Sequence, residues 1–189
     1  MRIISGSARG RKLRTPPSHS SDIRPTTDRA RESLFSILGS DIVGSTILDL
    51  CAGTGAFGCE ALSRGAASVL FVDNARSALS LIDENIALIP GGGERAHIIR
   101  HDLRKGLDHP AFTAAVDVRF NIVFADPPYL TPLTAIILSS LDICPHLAEN
   151  PLVIIEEQKR FQPPDNLKNL VKTDSRKYGD SSFTFYQST

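Results

Sequence analysis

Four consecutive residues, Asp126-Pro127-Pro128-Tyr129, are suited to hold a flat heterocycle by its exocyclic amine. They follow the apolar run 121–125, which is typical of a buried strand, and the double proline ends that strand because proline cannot donate to a sheet ladder. A carboxylate, rigid backbone carbonyls and an aromatic ring are thereby predicted at the carboxyl end of a strand, where open α/β sheets bind ligands. A plain proline turn, with Asp126 as a turn residue, is the alternative.

A second group of residues has the spacing of a cofactor loop. Gly53, Gly55 and Gly58 follow the apolar run 46–50 in a GxGxxG pattern, and Asp73 stands twenty residues after Gly53. Glycines let the backbone turn tightly and approach a ligand, while the acidic residue accepts hydrogen bonds from ribose hydroxyls. On spacing alone, this is the fingerprint of a dinucleotide-binding loop.

Two further carboxylates favour a cofactor without phosphate. Asp49, four residues before Gly53, would repel a pyrophosphate but not the ammonium and sulfonium groups of S-adenosylmethionine. Asp102 follows the third apolar run, where its carboxylate can accept from an adenine amine. Three strand-end carboxylates therefore favour adenosylmethionine over NAD. Asp102 is equally suited to be the N-cap of a helix beginning at Leu103, and Asp73 can be an ordinary strand-end residue.

Basic residues are concentrated at the N-terminus. Residues 1–31 carry a net charge of +6 and the other 158 residues carry −6, so the total is zero. A basic arm on an acidic body is typical of a nucleic-acid-binding protein, with a solvated tail as the alternative. The candidate phosphate contacts are Arg9, Arg11, Lys12, Arg24, Arg29 and Arg31.

An alternating α/β framework is predicted around these groups. Five apolar runs predict strands: residues 46–50, 69–73, 96–100, 120–125 and 152–155. Three stretches between them predict helices: residues 56–64, 75–88 and 133–147. Helical spacing also predicts a first helix, with an N-cap at Thr27 or Asp28. The alternation predicts a parallel sheet covered on both faces by helices.

Both ends of the chain predict antiparallel hairpins. Residues 2–5 and 11–14 flank a glycine-containing turn region near the N-terminus. Residues 169–172 and 183–186 flank Tyr178-Gly179 near the C-terminus, with no helix between them. The second hairpin is expected to add an antiparallel pair at the edge of the sheet.

Composition narrows the class of protein. The 189 residues are 41% hydrophobic and 22% charged, as in an ordinary globular protein. No apolar run approaches the ~20 residues that span a bilayer, and the N-terminus lacks the core of a signal peptide, so we expect a cytoplasmic protein. The three cysteines form no CxxC pair and no metal-ligand spacing with the five histidines, so we expect no metal site.

The motifs resemble those of a known enzyme class. Residues 49–55, Asp-Leu-Cys-Ala-Gly-Thr-Gly, resemble the first motif of class I methyltransferases. Asp126-Pro127-Pro128-Tyr129 resembles the catalytic motif of amino-methyltransferases that act on adenine, cytosine or guanine. With residues 24–35, Arg-Pro-Thr-Thr-Asp-Arg-Ala-Arg-Glu-Ser-Leu-Phe, the whole chain resembles the RsmD family, bacterial 16S ribosomal RNA guanine-N2 methyltransferases. Cys51 departs from the family, which usually has an aromatic residue there.

This resemblance implies a fold and a set of site residues. It implies a class I methyltransferase Rossmann-like α/β fold, with a seven-stranded, mostly parallel sheet, a C-terminal antiparallel hairpin, and a small N-terminal hairpin and helix. We assign the acceptor roles to Asp126 and the Pro127 carbonyl, with Pro128 in the same rigid turn and Tyr129 stacked on the base. The residues expected to bind S-adenosylmethionine are Asp49, Cys51, Ala52, Gly53, Gly55, Gly58, Asp73, Asn74, Asp102 and Leu103.

We expect two parts, a basic N-terminal hairpin and arm at residues 1–27 and a methyltransferase domain at residues 28–189. The expected protein is a monomer that acts on 16S ribosomal RNA or small-subunit particles. The part outside the core is too short for the recognition domain of most DNA amino-methyltransferases, which favours RNA. A DNA adenine-N6 methyltransferase, an NAD-dependent oxidoreductase and a non-catalytic RNA-binding assembly factor are the alternatives.

Overall fold

The computed structural model describes residues 1–16, 28–129 and 131–189. The chain divides into two compact units, Met1–Arg100 and His101–Thr189. The candidate phosphate contact Arg24 and the candidate N-cap Thr27 lie outside the described residues.

Three parallel strands and their helices form the first unit. The strands are β1 (Thr46–Leu50), β2 (Ser68–Asp73) and β3 (Ala96–Arg100), in the order β3-β2-β1. The helices are α1 (Asp28–Leu38), α2 (Ala56–Ser63), α3 (Arg76–Ile86) and the short α4 (Gly92–Arg95), with a 3-10 helix at Gly39–Ile42. Residues 47–50 and 69–72 are buried without a break, as expected for strands covered on both faces.

The described part of the second unit contains four strands. They are β4 (Phe120–Ala125), β5 (Leu147–Gln158), β6 (Leu170–Tyr178) and β7 (Ser181–Ser188). Strand β5 is parallel to β4 and antiparallel to β7, which pairs with β6 as a hairpin. A 3-10 helix (Leu103–Lys105), α5 (Pro110–Thr113) and α6 (Leu133–Asp142) complete the unit.

The predicted fold class is confirmed: the seven strands form a mostly parallel sheet that ends in an antiparallel C-terminal hairpin. Several predicted elements differ in extent, among them the hairpin strands β6 and β7, which continue beyond the predicted residues 169–172 and 183–186. The helix predicted over residues 133–147 ends at Asp142, because Pro145 cannot continue a helix and disfavours helical backbone at the residue before it. Strand β5 therefore begins at Leu147, five residues before the predicted start.

The predicted N-terminal hairpin is present: Arg2 and Lys12 form an antiparallel bridge, Ile3 N donates to the Arg11 carbonyl at 2.9 Å, and Gly10 N donates to the Ile3 carbonyl at 2.9 Å. Its turn also bonds to helix α2: Ser7 N donates to the Ser63 carbonyl at 2.8 Å, and Ala8 N donates to Ser63 Oγ at 3.0 Å. Among the helices that the structure describes, none has both the length and the apolar character needed to cross a membrane.

Candidate active site

The glycine loop between β1 and α2 is built from left-handed backbone. Cys51, Gly53 and Gly55 have φ angles of 55°, 57° and 69°. Ala52 N donates to the Val72 carbonyl at 3.1 Å, and Gly55 N donates to the Ala52 carbonyl at 2.7 Å, which closes a tight turn. Cys51 is the sole non-glycine residue with positive φ in the described ranges. This conformation costs an L residue roughly 1–2 kcal/mol, and such strain concentrates at ligand sites.

Asp73, the last residue of β2, fastens the glycine loop. Its Oδ2 accepts from Gly53 N at 2.9 Å and its Oδ1 accepts from Ala75 N at 2.9 Å. A carboxylate has about four acceptor positions, so lone pairs remain for the hydroxyls of a ribose. The neighbouring Asn74 is exposed, and its carbonyl accepts from Arg100 Nε at 3.0 Å. The sequence-predicted pair of glycine loop and acidic residue is thus brought together by a direct hydrogen bond.

Gly58 packs helix α2 against β2. A Cβ at this position would lie 2.2 Å from Phe71 Cε1 and 2.8 Å from Val69 Cγ1, both on β2. The third glycine of the pattern therefore permits the close approach of helix and strand, which is its usual role in a GxGxxG loop. We therefore expect Gly58 to contribute to cofactor binding indirectly, by allowing helix α2 to pack closely against β2.

Asp49 lies beneath the first turn of α2. It is 1% exposed, and its Oδ2 accepts from Gly58 N at 3.0 Å. Burial raises the pKa of this carboxyl well above its ordinary value; the Gly58 N–H opposes that shift, and the nearby charge of Asp73 adds to it. A cationic group that binds beside the loop would stabilise the ionised form of this carboxyl and lower its pKa.

Asp102 and Leu103 belong to the second unit. Asp102 is the N-cap of the 3-10 helix, with its side chain accepting from Arg104 N, so the N-cap interpretation is confirmed. Arg104 also forms an ion pair with this carboxylate, with Nη2 2.6 Å from Oδ2, and lowers the pKa of Asp102 to about 2. Leu103 is buried. An adenine-binding role for Asp102 stays a prediction.

The Asp-Pro-Pro-Tyr motif follows β4 directly, as predicted. Asp126 is half-buried, Pro127 is buried and Pro128 is exposed. The Tyr129 hydroxyl lies 2.8 Å from Ser181 Oγ and donates to Glu156 Oε1 at 3.4 Å. Burial raises the pKa of the Tyr129 phenol well above its ordinary value. The phenol is therefore neutral and can donate a hydrogen bond at physiological pH.

Two buried polar residues that the sequence analysis missed fasten the N-terminal segment. Glu60, fully buried in α2, accepts from Ile4 N at 2.7 Å and from Ser5 N at 3.0 Å. Asn85, fully buried in α3, accepts from Arg14 N at 2.7 Å and donates to the Thr54 carbonyl at 2.8 Å. Asn85 thus joins the N-terminal segment to the glycine loop.

The candidate phosphate contacts fall into two groups. Arg9, Arg11, Lys12 and Arg29 are exposed. Arg31 is 2% exposed, and its Nη2 donates to the Arg2 carbonyl and to Asp28 Oδ1. Arg31 is therefore held inside the first unit, under the N-terminal segment, whereas the other four are presented to solvent. The part of the chain that the structure describes contains no group of three or more side chains arranged to hold a metal ion.

A glycine loop after β1, an acidic residue ending β2 and an Asp-Pro-Pro-Tyr motif after β4 together define a class I methyltransferase. A solved structure supports this: "Putative methyltransferase yhhF from Escherichia coli" has a TM-score of 0.79 and 32% sequence identity, and the alignment covers 100% of this chain and 97% of that one.

Residues 1–187 match the family described as "Conserved hypothetical protein 95". "Putative rRNA methyltransferase YlbH" of Bacillus subtilis (strain 168) is 34% identical over 187 residues, which cover 99% of this chain and 98% of that protein. "Ribosomal RNA small subunit methyltransferase D" of Escherichia coli (strain K12) is 34% identical over 190 residues, which cover 99% of this chain and 89% of that protein. The chain therefore belongs to this family, the RsmD family, as the sequence motifs indicated.

Proposed function

We propose that the protein transfers a methyl group from S-adenosylmethionine to the exocyclic N2 amine of a guanine in 16S ribosomal RNA of the small subunit. The observation that carries the proposal is the Asp126–Tyr129 motif at the end of β4, with its neutral phenol held by two hydrogen bonds. The E. coli relative named a ribosomal RNA small subunit methyltransferase supports the choice of substrate.

The residues of the first unit fit the methyl donor. Asp73 has lone pairs free for ribose hydroxyls, and the left-handed turn at Gly53 and Gly55 brings backbone close to a ligand without side-chain obstruction. The carboxylates Asp49 and Asp73 favour a cationic ligand over a pyrophosphate. When bound, S-adenosylmethionine supplies a methyl group already activated by its sulfonium.

The residues of the second unit fit the methyl acceptor. The guanine amine is a poor nucleophile because its lone pair is delocalised into the ring. The Asp126 carboxylate and the Pro127 carbonyl accept its N–H groups, which favours a tetrahedral nitrogen with a free lone pair. The new N–C bond forms as the bond between the methyl group and the sulfonium sulfur breaks, leaving its electron pair on the sulfur, and the amine proton passes to Asp126 or to solvent. Stacking on Tyr129 contributes about 1–3 kcal/mol per base, and holding the reactants in line supplies roughly 7–11 kcal/mol.

The exposed cations of the N-terminal segment fit an RNA backbone. Arg9, Arg11 and Lys12 lie on the segment that Glu60 and Asn85 fasten to the first unit, so phosphates bound there are held in a fixed position. The target base leaves its stack to reach the acceptor residues. We propose that the protein acts as a cytoplasmic monomer on the ribosomal RNA or on small-subunit particles.

Methyl transfer from labelled S-adenosylmethionine tests this function. The acceptors are small-subunit particles lacking the modification, free 16S RNA, and DNA of matching length. We expect label in ribosomal RNA, loss of transfer in Asp126→Asn with cofactor binding retained, and normal transfer in the control Asp174→Asn. Asp174 is a half-buried residue of β6 whose carboxylate pairs with Arg176. Label in DNA alone refutes the RNA substrate, and full turnover by Asp126→Asn refutes the role of Asp126. If calorimetry detects binding of NAD but not of S-adenosylmethionine, the proposed methyltransferase activity is refuted.

A further inference from the structure

The C-terminal hairpin has a firmly held tip. Tyr178 pairs with Ser181 across the turn, and Gly179 has the positive φ of 60° that the turn requires. The Asp180 carbonyl accepts from Lys159 N at 2.9 Å, just after the end of β5. Ser181 also pairs with Gln158 of β5, so its backbone is fixed by a strand on each side.

Ser181 connects this tip to the acceptor motif. Ser181 Oγ lies 2.8 Å from the Tyr129 hydroxyl, a contact across 52 residues of sequence. The phenol donates at the same time to Glu156 Oε1 at 3.4 Å, and Glu156 is 1% exposed. Since a phenol has one proton, Ser181 donates to the phenol oxygen while the phenol donates to the carboxylate.

We infer that Ser181 is a positioning residue for methyl transfer, because it holds the Tyr129 ring in the orientation that receives the target base. This inference rests on the proposed function. Two hydrogen bonds to one hydroxyl restrict both the tilt of the ring and its displacement toward solvent. A ring fixed before binding loses less freedom when the base stacks on it, which favours productive alignment.

A double-mutant cycle tests the inference. We expect Ser181→Ala to lower kcat/KM for RNA about 3- to 10-fold, the fold-change of one net hydrogen bond, with the dissociation constant for S-adenosylmethionine unchanged. Tyr129→Phe, which also removes the bond to Glu156, is expected to lower it at least as much. The double variant is expected to be no worse than Tyr129→Phe alone, and Ser181→Thr is expected to retain activity. Ser182→Ala is the matched control, because this neighbouring buried hydroxyl contacts the Glu157 carbonyl instead. Additive losses in the double variant, or equal losses in Ser181→Ala and Ser182→Ala, overturn the inference.

A readout without turnover separates this inference from the proposed function. In protein labelled with 3-fluorotyrosine, the Tyr129 signal is the one missing from Tyr129→Phe. We expect Ser181→Ala to shift or broaden that ¹⁹F signal, and Ser182→Ala to leave it unchanged. An unchanged signal in Ser181→Ala overturns the positioning role even if the wild type methylates RNA. Absence of RNA methylation with a shifted signal refutes the proposed function while the contact itself stands.

Discussion

Substituting Gly58 by alanine tests the link between the glycine loop and the packing beneath it. The added Cβ would lie 2.2 Å from Phe71 Cε1, 2.5 Å from Phe71 Cζ and 2.8 Å from Val69 Cγ1. Phe71 is fully buried, so its ring has no open space into which to move. Helix α2 must therefore shift away from β2, which also stretches the 3.0 Å bond between Gly58 N and Asp49.

Overpacking of this kind costs about 1–3 kcal/mol of folding free energy. In a chain of this size, 1 kcal/mol corresponds to roughly 2–4 °C, so we expect the melting temperature to fall by roughly 2–12 °C. Because α2 carries the glycine loop, we also expect weaker binding of S-adenosylmethionine. The further substitution Phe71→Leu, which removes the atoms in closest contact, is expected to recover part of the loss.

Thermal denaturation and calorimetry measure the two effects. Gly93→Ala is the matched control, because Gly93 is exposed in α4, has no positive φ, and a Cβ there meets nothing within 4 Å. We expect Gly93→Ala to leave stability and cofactor affinity unchanged. Equal melting temperatures for Gly58→Ala and Gly93→Ala would refute the packing role of Gly58. Gly58→Ala and Phe71→Leu effects that simply add would refute the assigned clash.

Three further predictions concern charge and the N-terminal segment. Because the pKa of Asp49 is raised in the folded state, the wild-type protein loses stability as the pH rises from the unfolded-state pKa of this carboxyl through its folded-state pKa. The stability of Asp49→Asn relative to the wild type should therefore grow between pH 4 and pH 8, while its affinity for the cofactor is lower. A difference in melting temperature that does not change with pH would contradict this. In urea unfolding, Gly6→Ala should destabilise the protein more than Gly10→Ala. Both glycines have φ near +80°, but a Cβ at Gly6 would lie 1.9 Å from the Ser63 carbonyl oxygen, whereas a Cβ at Gly10 meets nothing within 4 Å. Equal losses of stability would contradict the contact with Ser63. Lys12→Ala should reduce the slope of log K against log salt for RNA binding by about 0.7–0.9, with unchanged cofactor binding, and an unaltered slope would remove Lys12 from the phosphate contacts.

Periodicity and short motifs were sufficient to predict most of the fold. Strands β1, β3 and β4 have the predicted bounds. Strands β1 and β4 are largely buried, as expected for strands covered on both faces, whereas β3 is half-buried or exposed along its whole length. The end of α6 was signalled in the sequence by Pro145, which the helical pattern of the preceding residues outweighed. The link between the glycine loop and Asp73 was predictable too, since the carboxyl ends of adjacent parallel strands lie at the same edge of a sheet.

The contacts that hold the site residues in place could be identified from the structure but not from the sequence. Ser181 meets Tyr129 and Asn85 meets Thr54 across 52 and 31 residues of sequence, and the register that aligns them is set by packing over the whole fold. The burial of Arg31 was likewise hidden, because a basic stretch shows its charge but not which of its side chains folds inward. The buried Glu60 within the apolar helix α2 was the one visible signal of such a contact.

Identification of the methylated nucleoside tests whether the protein methylates the N2 amine of a guanine in 16S ribosomal RNA. Small-subunit particles that lack the modification are incubated with the protein and labelled S-adenosylmethionine, and the RNA is digested and resolved by chromatography and mass spectrometry. We expect label in N2-methylguanosine at one position of 16S RNA, and no label with Asp126→Asn. Label in another nucleoside, or in N6-methyladenine of a DNA substrate alone, would contradict it.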